Sequence, residues 1–592
     1  MKADIVFVTY NSARYIPGCF RALARTSTPK EDYQVIVVDN GSSDNTLELL
    51  EAARREEGFP HFRILATGKN LGFGKGCNLG ASEGTAPLIF FLNIDTEIHP
   101  DAMEEIFREA GASPDSVGAF ELRQVPYEHP KRYNPVTLET SWCSGAAVFI
   151  RRKAFEAAGG FSPQIFMYGE DVDLSWALRK KGYTLKYVPK AAVIHYSYQT
   201  PGEVKPLQYY QSILNNILLR LKYGSLGHII GGHLRLFFLF LSPPLLPGSK
   251  GILLREGMKR IPLHLLVLLK RLIPKRRHGF RPSFYGWDYE GIREGAFYPG
   301  EITREGPLVS ILVRTVGRPA ILAECLSSLR NQSYRNFEVI IVEDGEGISE
   351  PLVREGFQDL RIRYMATGEK VGRCQAANIA MEMAAGSYLN FLDDDDLFYG
   401  DHLETLVSAH NRDPGKAMYY SLSFEVPTRY LSREPLAYRE GPYRSFMKEP
   451  FNAFRLSREN IMPIQAGMFR KDLAMELGGL DTGVDTLEDW DFWMRLAALG
   501  DFSYQEKTTS LFRTPWGKDE RKARERSINE AYAYISGKNS GLSFTMTLGE
   551  MQEAYRNAID FRHRNRLLGL QSRHPDLHKL LRRLAGRVGI SL

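Results

Sequence analysis

The chain repeats itself, and this limits what it can fold into more than any other feature. Segments of the first half return in the same order in the second. IVFVTY (5–10) and VIVVD (35–39) answer to VSILVRT (309–315) and VIIVED (339–344). ATGKNLGFGKGCNLGA (66–81) answers to ATGEKVGRCQAANIAM (366–381), and LIFFLNIDTEI (88–98) to YLNFLDDDDLF (388–398). GGFSPQIFMYGEDVDL (159–174) answers to GGLDTGVDTLEDWDF (478–492). One such match would be weak; several in order, with acids at corresponding places, describe a duplicated domain of roughly 200–250 residues, far beyond a solenoid repeat.

Each copy reads as strand, helix, strand. Val35–Val38 and Val339–Val342 are apolar on both faces, as buried parallel strands are. Tyr15–Thr26 and Ala320–Asn331 carry helical spacing. Alternating β and α predicts an α/β fold with an open, doubly wound sheet in each copy, and ligands beyond the carboxyl ends of its strands. Asp39, Asp95, Asp344 and Asp395 are expected there.

Bulk properties exclude several classes. The 592 residues exceed one ordinary domain. With 43% apolar and 25% charged residues the composition is globular, and a net charge of +6 gives nucleic-acid binding no support. Five scattered cysteines form no CxxC pair or Cys/His cluster, so neither a disulfide framework nor a zinc site is expected. MKADIVFVTYN runs straight into a strand pattern without a signal-peptide profile. A reducing cytoplasm is the expected location.

The acids then read as chemistry. Asp39, in VVDNGSSDNT, stands where an acid can accept hydrogen bonds from a base or ribose; an Asx-turn is the plainer reading. The run FLDDDDLF (391–398) is sharper, because adjacent carboxylates repel unless neutralised. Behind an apolar strand this suggests Mg²⁺ or Mn²⁺, which also bind a diphosphate. The first copy has Asn93-Ile94-Asp95 there, leaving Asp95 as the main ligand. Glu170-Asp171 and Glu488-Asp489 precede amphipathic stretches, so they suit a helix N-terminus or supply the general base that attack by a hydroxyl requires.

These motifs resemble family 2 glycosyltransferases of the GT-A fold, over about residues 1–200 and 308–515, the first copy being similar to rhamnosyltransferase-like members. The resemblance implies an inverting transfer from a nucleotide-diphosphate sugar, with the metal on the diphosphate. It places Thr9, Asp39, Asn70, Asn78 and Asn93, and in the second copy Asp344, Asn378 and Asp394, at the nucleotide sugar. Asp95, Asp393, Asp395 and His195 (in VIHYS) would hold Mg²⁺ or Mn²⁺. Asp171 and Asp489 would be the bases, supported by Glu170 and Glu488. The second copy departs from the pattern: RTPWGKD (513–519) stands where a histidine is common, so Arg513 or Lys518 would have to face the diphosphate. The leading reading is a bifunctional enzyme extending a cell-surface glycan, with nucleotide-diphosphate sugars as donors and a glycan or polyprenyl-diphosphate-linked glycan as acceptor. One catalytic domain with a non-catalytic acceptor-binding partner is the alternative. A non-catalytic carbohydrate- or nucleotide-sugar-binding scaffold is the reading from another class; retained bases in both copies argue against it.

The expected organisation is a transferase domain at 1–205, a helical basic region at 206–278, a linker at 279–307, a second transferase domain at 308–518 and a helical tail at 519–592. Residues 250–278 carry nine Lys/Arg and one acid, Glu256, among leucines. Neither they nor 226–247 contain the ~20 unbroken apolar residues of a spanning helix. Two readings stand: a segment lying on an anionic membrane at the inner face of the cell membrane, or a brace packed on the transferase domains. The basic stretch Arg573–Val588 is open in the same way.

Overall fold

The computed structural model describes residues 1–552 apart from 199, 201–202, 273–279, 296, 446–447, 449 and 550, so Arg573–Val588 lies outside the described residues.

The duplication is exact at the level of strand order. The first sheet has eight strands in the order 62–66, 33–39, 3–9, 88–92, 147–151, 117–125, 184–195, 96–98. The second runs 362–366, 337–343, 309–315, 388–391, 467–470, 418–433, 502–515, 397–398, with 436–440 added beside 418–433. The first four strands of each sheet are parallel, and all but the edge strands 62–66 and 362–366 are buried on both faces, as expected of parallel strands. Beyond them antiparallel pairs enter, 88–92 with 147–151 and 388–391 with 467–470, so each sheet is mixed rather than uniformly parallel. The expected helices are present as Ile16–Ala24 and Pro319–Arg330, each with proline in its first turn, where the missing N–H costs nothing.

Ladder register corrects one pairing drawn from the sequence. Thr9 lies opposite Asp39, and Thr315 opposite Glu343. The counterpart of Asp39 is therefore Glu343, and Asp344 corresponds to Asn40. The motifs VIVVD and VIIVED align by composition, but the second ends its strand one residue earlier.

The two copies share a buried interface. Tyr133, Leu138 and Tyr187 of the first pack with Leu397, Tyr399, Phe424, Val426 and Leu511 of the second in one apolar cluster. Beside it, the guanidinium of Arg293, from the connecting segment, reaches Asp401 at 2.7 Å and Glu128 at 2.7 Å. Lys507 reaches the same two carboxylates at 2.7 and 3.0 Å. Arg123 lies 2.7 Å from Glu404, angled off a hydrogen bond. Two cations against two anions, all buried, balance their charge locally, which is the condition under which buried ions persist.

The middle region is helical. Pro206–Tyr223 packs its Ile217, Leu218 and Leu219 against Trp142, Ile165, Val172 and Trp176 of the first copy. The helices Leu226–Leu241, Ser249–Lys259 and Ile261–Leu272 lie on that helix. Among the described residues no helix is long and apolar enough to cross a membrane. All five cysteines are buried and unpaired.

Removing one member of the interface quartet strands the others. Asp401→Ala is expected to destabilise the protein by about 3–5 kcal/mol, the usual result of orphaning a buried charge, measured by urea unfolding at pH 7. Burial raises the Asp401 pKa, but Arg293 and Lys507 outweigh it and hold the carboxyl well below the ordinary range. With the folded pKa depressed, its contribution is complete above about pH 4 and drains only as pH falls further.

Candidate functional site

A cavity of about 620 Å³ opens beside the first sheet, and it collects Asn93, Asp95, Glu170, Asp171 and His195. Asn93 and Asp95 stand in the turn after strand 88–92. Glu170 and Asp171 open the helix Glu170–Lys180, entered through Gly169 in a left-handed conformation (φ 94°). His195 ends strand 184–195, opposite Thr96.

Histidine and aspartate meet there: His195 Nε2 lies 3.5 Å from Asp95. Burial raises the Asp95 pKa, and the bond and charge of His195 more than offset it, so Asp95 is held below the ordinary range. His195 Nδ1 is 2.7 Å from Gln124 Oε1. An amide oxygen only accepts, so Nδ1 carries a proton and Nε2 is the ring nitrogen that faces Asp95. The Asn93 side-chain oxygen and one oxygen of Glu170 are buried without a hydrogen-bond partner at this cavity. Buried polar atoms are normally satisfied, and both oxygens are open to a hydrogen-bond partner within the cavity.

Asp171 accepts from the backbone N–H of Gly145 (3.1 Å) and of Val172 (2.8 Å). Burial nevertheless raises its pKa. Glu170 is also raised, first by burial and then by the Asp171 charge. Neighbouring carboxyls that resist joint ionisation suit proton transfer.

The remaining nucleotide-sugar residues do not line this cavity. Thr9 donates to Asp39 at 3.0 Å. Asp39 also accepts from the backbone of Gly41 (3.1 Å) and Ser42 (3.0 Å) and from the Ser42 hydroxyl (2.5 Å), so in this structure it builds the turn. Asn70 caps the Gly72 N–H at 2.9 Å. Asn78 bonds the backbone N–H and C=O of Phe161, both at 2.9 Å. Asn378 does the same to Leu480, at 2.8 and 2.9 Å. The two asparagines are staples between a helix and the GG loop.

The second copy places its acids in the same turn but gives them internal partners. Arg314 grips Asp393 in a two-pronged bond (2.7 and 2.8 Å) and lies 3.3 Å from Glu488. Asp394 is fully buried and accepts from Thr315 (2.6 Å) and Arg318 (3.0 Å). Asp395 lies 3.5 Å from Arg318, and Asp396 accepts from the Arg513 backbone at 3.0 Å. Register puts Val8 of the first copy where Arg314 stands, and Ser12 and Arg318 each follow the paired threonine by three residues. Asp344 accepts from the N–H groups of Val371 (2.6 Å) and Gly372 (3.2 Å). Asp489 accepts from Asn460 (2.8 Å) and Trp490 N–H (2.8 Å), and burial followed by the Glu488 charge pushes its pKa up to about 7. The Arg513 side chain reaches Glu324 at 2.9 Å. The side chain of Lys518 lies outside the described residues.

Residues 4–172 and 310–476, more than half of the chain, match Glycosyl transferase family 2. The chain belongs to that family. It is a glycosyltransferase with two family 2 regions in tandem. The N-acetylglucosaminyl-diphospho-decaprenol L-rhamnosyltransferase of Mycobacterium tuberculosis (strain ATCC 25618 / H37Rv) is similar, 31% identical over 244 residues that cover 33% of this chain and 77% of that protein. Glycosyltransferase AglE of Haloferax volcanii is 26% identical over 199 residues, 31% of this chain and 63% of its own. Among solved structures, S. aureus TarS 1–349 in complex with UDP-GlcNAc matches with a TM-score of 0.32 and 15% identity, covering 46% of this chain and 83% of that one. The mannosyltransferase PcManGT from Pyrobaculum calidifontis, in complex with GDP-Man and Mn²⁺, matches with a TM-score of 0.30 and 14% identity, covering 47% and 76%.

Among the described residues no three His, Cys, Asp or Glu side chains converge as a closed metal site. Mg²⁺ and Mn²⁺ do not need one, since they keep waters and share substrate phosphates. Asp95, His195 Nε2 and the unpartnered Asn93 oxygen fit such an open site in the first family 2 region. In the second region guanidinium groups already occupy Asp393 and Asp394, and those residues do not fit an ion in this arrangement.

Several cavity residues escaped the sequence reading. Trp287 and Tyr289 come from the segment taken as a linker, and Gln124 and Lys131 carry no motif. Only the aromatic content of 279–307 hinted at any of them. Gln124→Leu is expected to raise the Mn²⁺ concentration for half-maximal activity about 10–100-fold, as loss of an outer partner of a histidine ligand does. Titrating metal against donor turnover measures it.

Proposed function

We propose that each family 2 region transfers one sugar from a nucleotide-diphosphate donor to a growing cell-surface glycan, with inversion. The observation that carries the reading is the convergence of Asp171 with Asp95 and His195 around one cavity that holds two unsatisfied buried oxygens.

In the first region, an acceptor hydroxyl hydrogen-bonded to Asp171 gives up its proton to that carboxylate as its oxygen bonds the anomeric carbon. The bond from that carbon to the diphosphate oxygen breaks, and the nucleoside diphosphate leaves with the electron pair. Asp95 and His195 would hold a divalent cation, which would neutralise charge on the leaving diphosphate. Burial has already raised the Asp171 pKa, so the carboxylate is a stronger base than a solvated aspartate, and Glu170 beside it resists simultaneous ionisation. Asp489 offers the same chemistry in the second region. The named acceptor of the mycobacterial relative supports a polyprenyl-diphosphate-linked glycan as the acceptor class.

A second reading, in which the second region binds acceptor without transferring sugar, is favoured by the arginines on its acids.

Asp171→Asn and Asp489→Asn separate the two. Each is expected to lower its own acceptor-dependent nucleoside diphosphate release by about 10²–10⁴-fold, the usual worth of a general base, and to remove a different product. If Asp489→Asn leaves every product intact, the helper reading holds for the second region. The wild-type rate at the first site should fall on acidification with a midpoint above about 3.9, the ordinary aspartate value, because burial raises the base; Asp171→Asn should lose that limb in a pH–rate profile.

A further inference from the structure

The helices that follow the first family 2 region are only half packed. In Leu226–Leu241, Ile229, Leu236, Leu239 and Phe240 turn inward against the cluster around Pro206–Tyr223. Leu226, Ile230, Leu234, Phe237, Phe238 and Leu241 remain between 48% and 72% exposed. Their spacing of three and four residues puts these six on one stripe. Ile261–Leu272 repeats the arrangement: Leu263 and Val267 pack inward, while Ile261, Leu265, Leu268 and Leu269 are exposed. Leu254 and Met258 of the helix between them add to the exposed face. Isolated exposed leucines need no explanation, but two contiguous apolar stripes do.

We propose that these two outward faces form a docking surface for an anionic lipid bilayer. The charge around them selects that occupant. Across residues 226–272 the only acid is Glu256, and it is already paired with Arg255 (3.2 Å) and Lys259 (2.9 Å). The side chains of those two bases are 67% and 64% exposed, and Arg235 and Lys270 are exposed as well. An apolar stripe rimmed by exposed bases that outnumber their one acid matches a negatively charged headgroup layer over hydrocarbon, with the helices lying in the interface. Long Lys and Arg stems keep their ammonium and guanidinium ends at headgroup level while the leucines enter the acyl boundary. None of the described helices crosses it.

Position adds a consequence. The helix Pro206–Tyr223, on which both amphipathic helices rest, also presents Gln208 and Ser212 to the first cavity. One helix therefore joins the lipid-facing surface to the wall of the site, and a bound bilayer would hold the cavity at a fixed attitude to it.

Lipid binding is independent of the transfer reading and is tested without donor or acceptor. Full-length protein is sedimented with phosphatidylglycerol/phosphatidylcholine vesicles and with phosphatidylcholine alone. Wild type is expected to partition onto the anionic vesicles at least about tenfold more strongly, with most of that preference lost at high salt. The double variant Phe237→Ser/Leu241→Ser should lose binding to both vesicle types. Arg255→Gln/Lys259→Gln should lose only the anionic preference. Both variants alter exposed side chains, and an unchanged thermal midpoint checks that they fold. Absence of wild-type binding to anionic vesicles, or wild-type binding by both variants, would overturn the proposal. So would concentration-dependent dimerisation abolished by Phe237→Ser/Leu241→Ser, since the face would then belong to a second copy of the chain.

Discussion

Arg293 holds the molecule together. It belongs to neither sheet, yet its guanidinium lies between Glu128 of the first region and Asp401 of the second, with Lys507 completing the charge balance. Ions this deeply buried persist only when every partner is in place, so the relative position of the two regions is set within hydrogen-bond tolerance. Glu128 also lines the first cavity. The second region thus reaches the first site through one carboxylate, and the connecting segment is a structural member of both.

Much of this was legible in the sequence because it depends on local pattern. Duplication, α/β alternation and the acids at the strand ends rest on period and spacing, which a single chain displays openly. The grouping of Asp95, Asp171 and His195 rested on family likeness, and the fold brings them to one cavity. Partnership was not legible. Whether Asp39 meets a ligand or builds its own turn depends on Ser42 and Thr9, and nothing in VVDNGSSDNT distinguishes the two. Asn78 and Asn378 read as binding residues by motif, but each is spent on a backbone partner more than eighty positions away. The Asp39–Asp344 correspondence failed for a simpler reason: aspartate aligned with aspartate, while the ladder counts residues, ignores their chemistry and makes Glu343 the counterpart of Asp39.

The two copies show how one frame accommodates opposite electrostatics. Where the first has Val8, Ser12 and Asn93, the second has Arg314, Arg318 and Asp393. Added acids came with added bases, and Arg314 and Arg318 grip Asp393 and Asp394 from within. The first keeps fewer carboxylates and leaves them facing a cavity. The middle region, read as either a membrane segment or a brace, is physically a brace on one face, and that leaves the other face open.

The Arg293 contact has a bearing on how such a chain can be re-engineered. Exchanging the second region for that of another tandem glycosyltransferase would replace every group that meets Arg293 from that side. A graft that lacked an acid at 401 or a base at 507 would leave Arg293 and Glu128 mismatched inside the junction. The transplantable module is therefore the second region together with the connector from about residue 290, and a usable donor chain must supply a carboxylate and an amine to meet that connector, whatever sugars it handles.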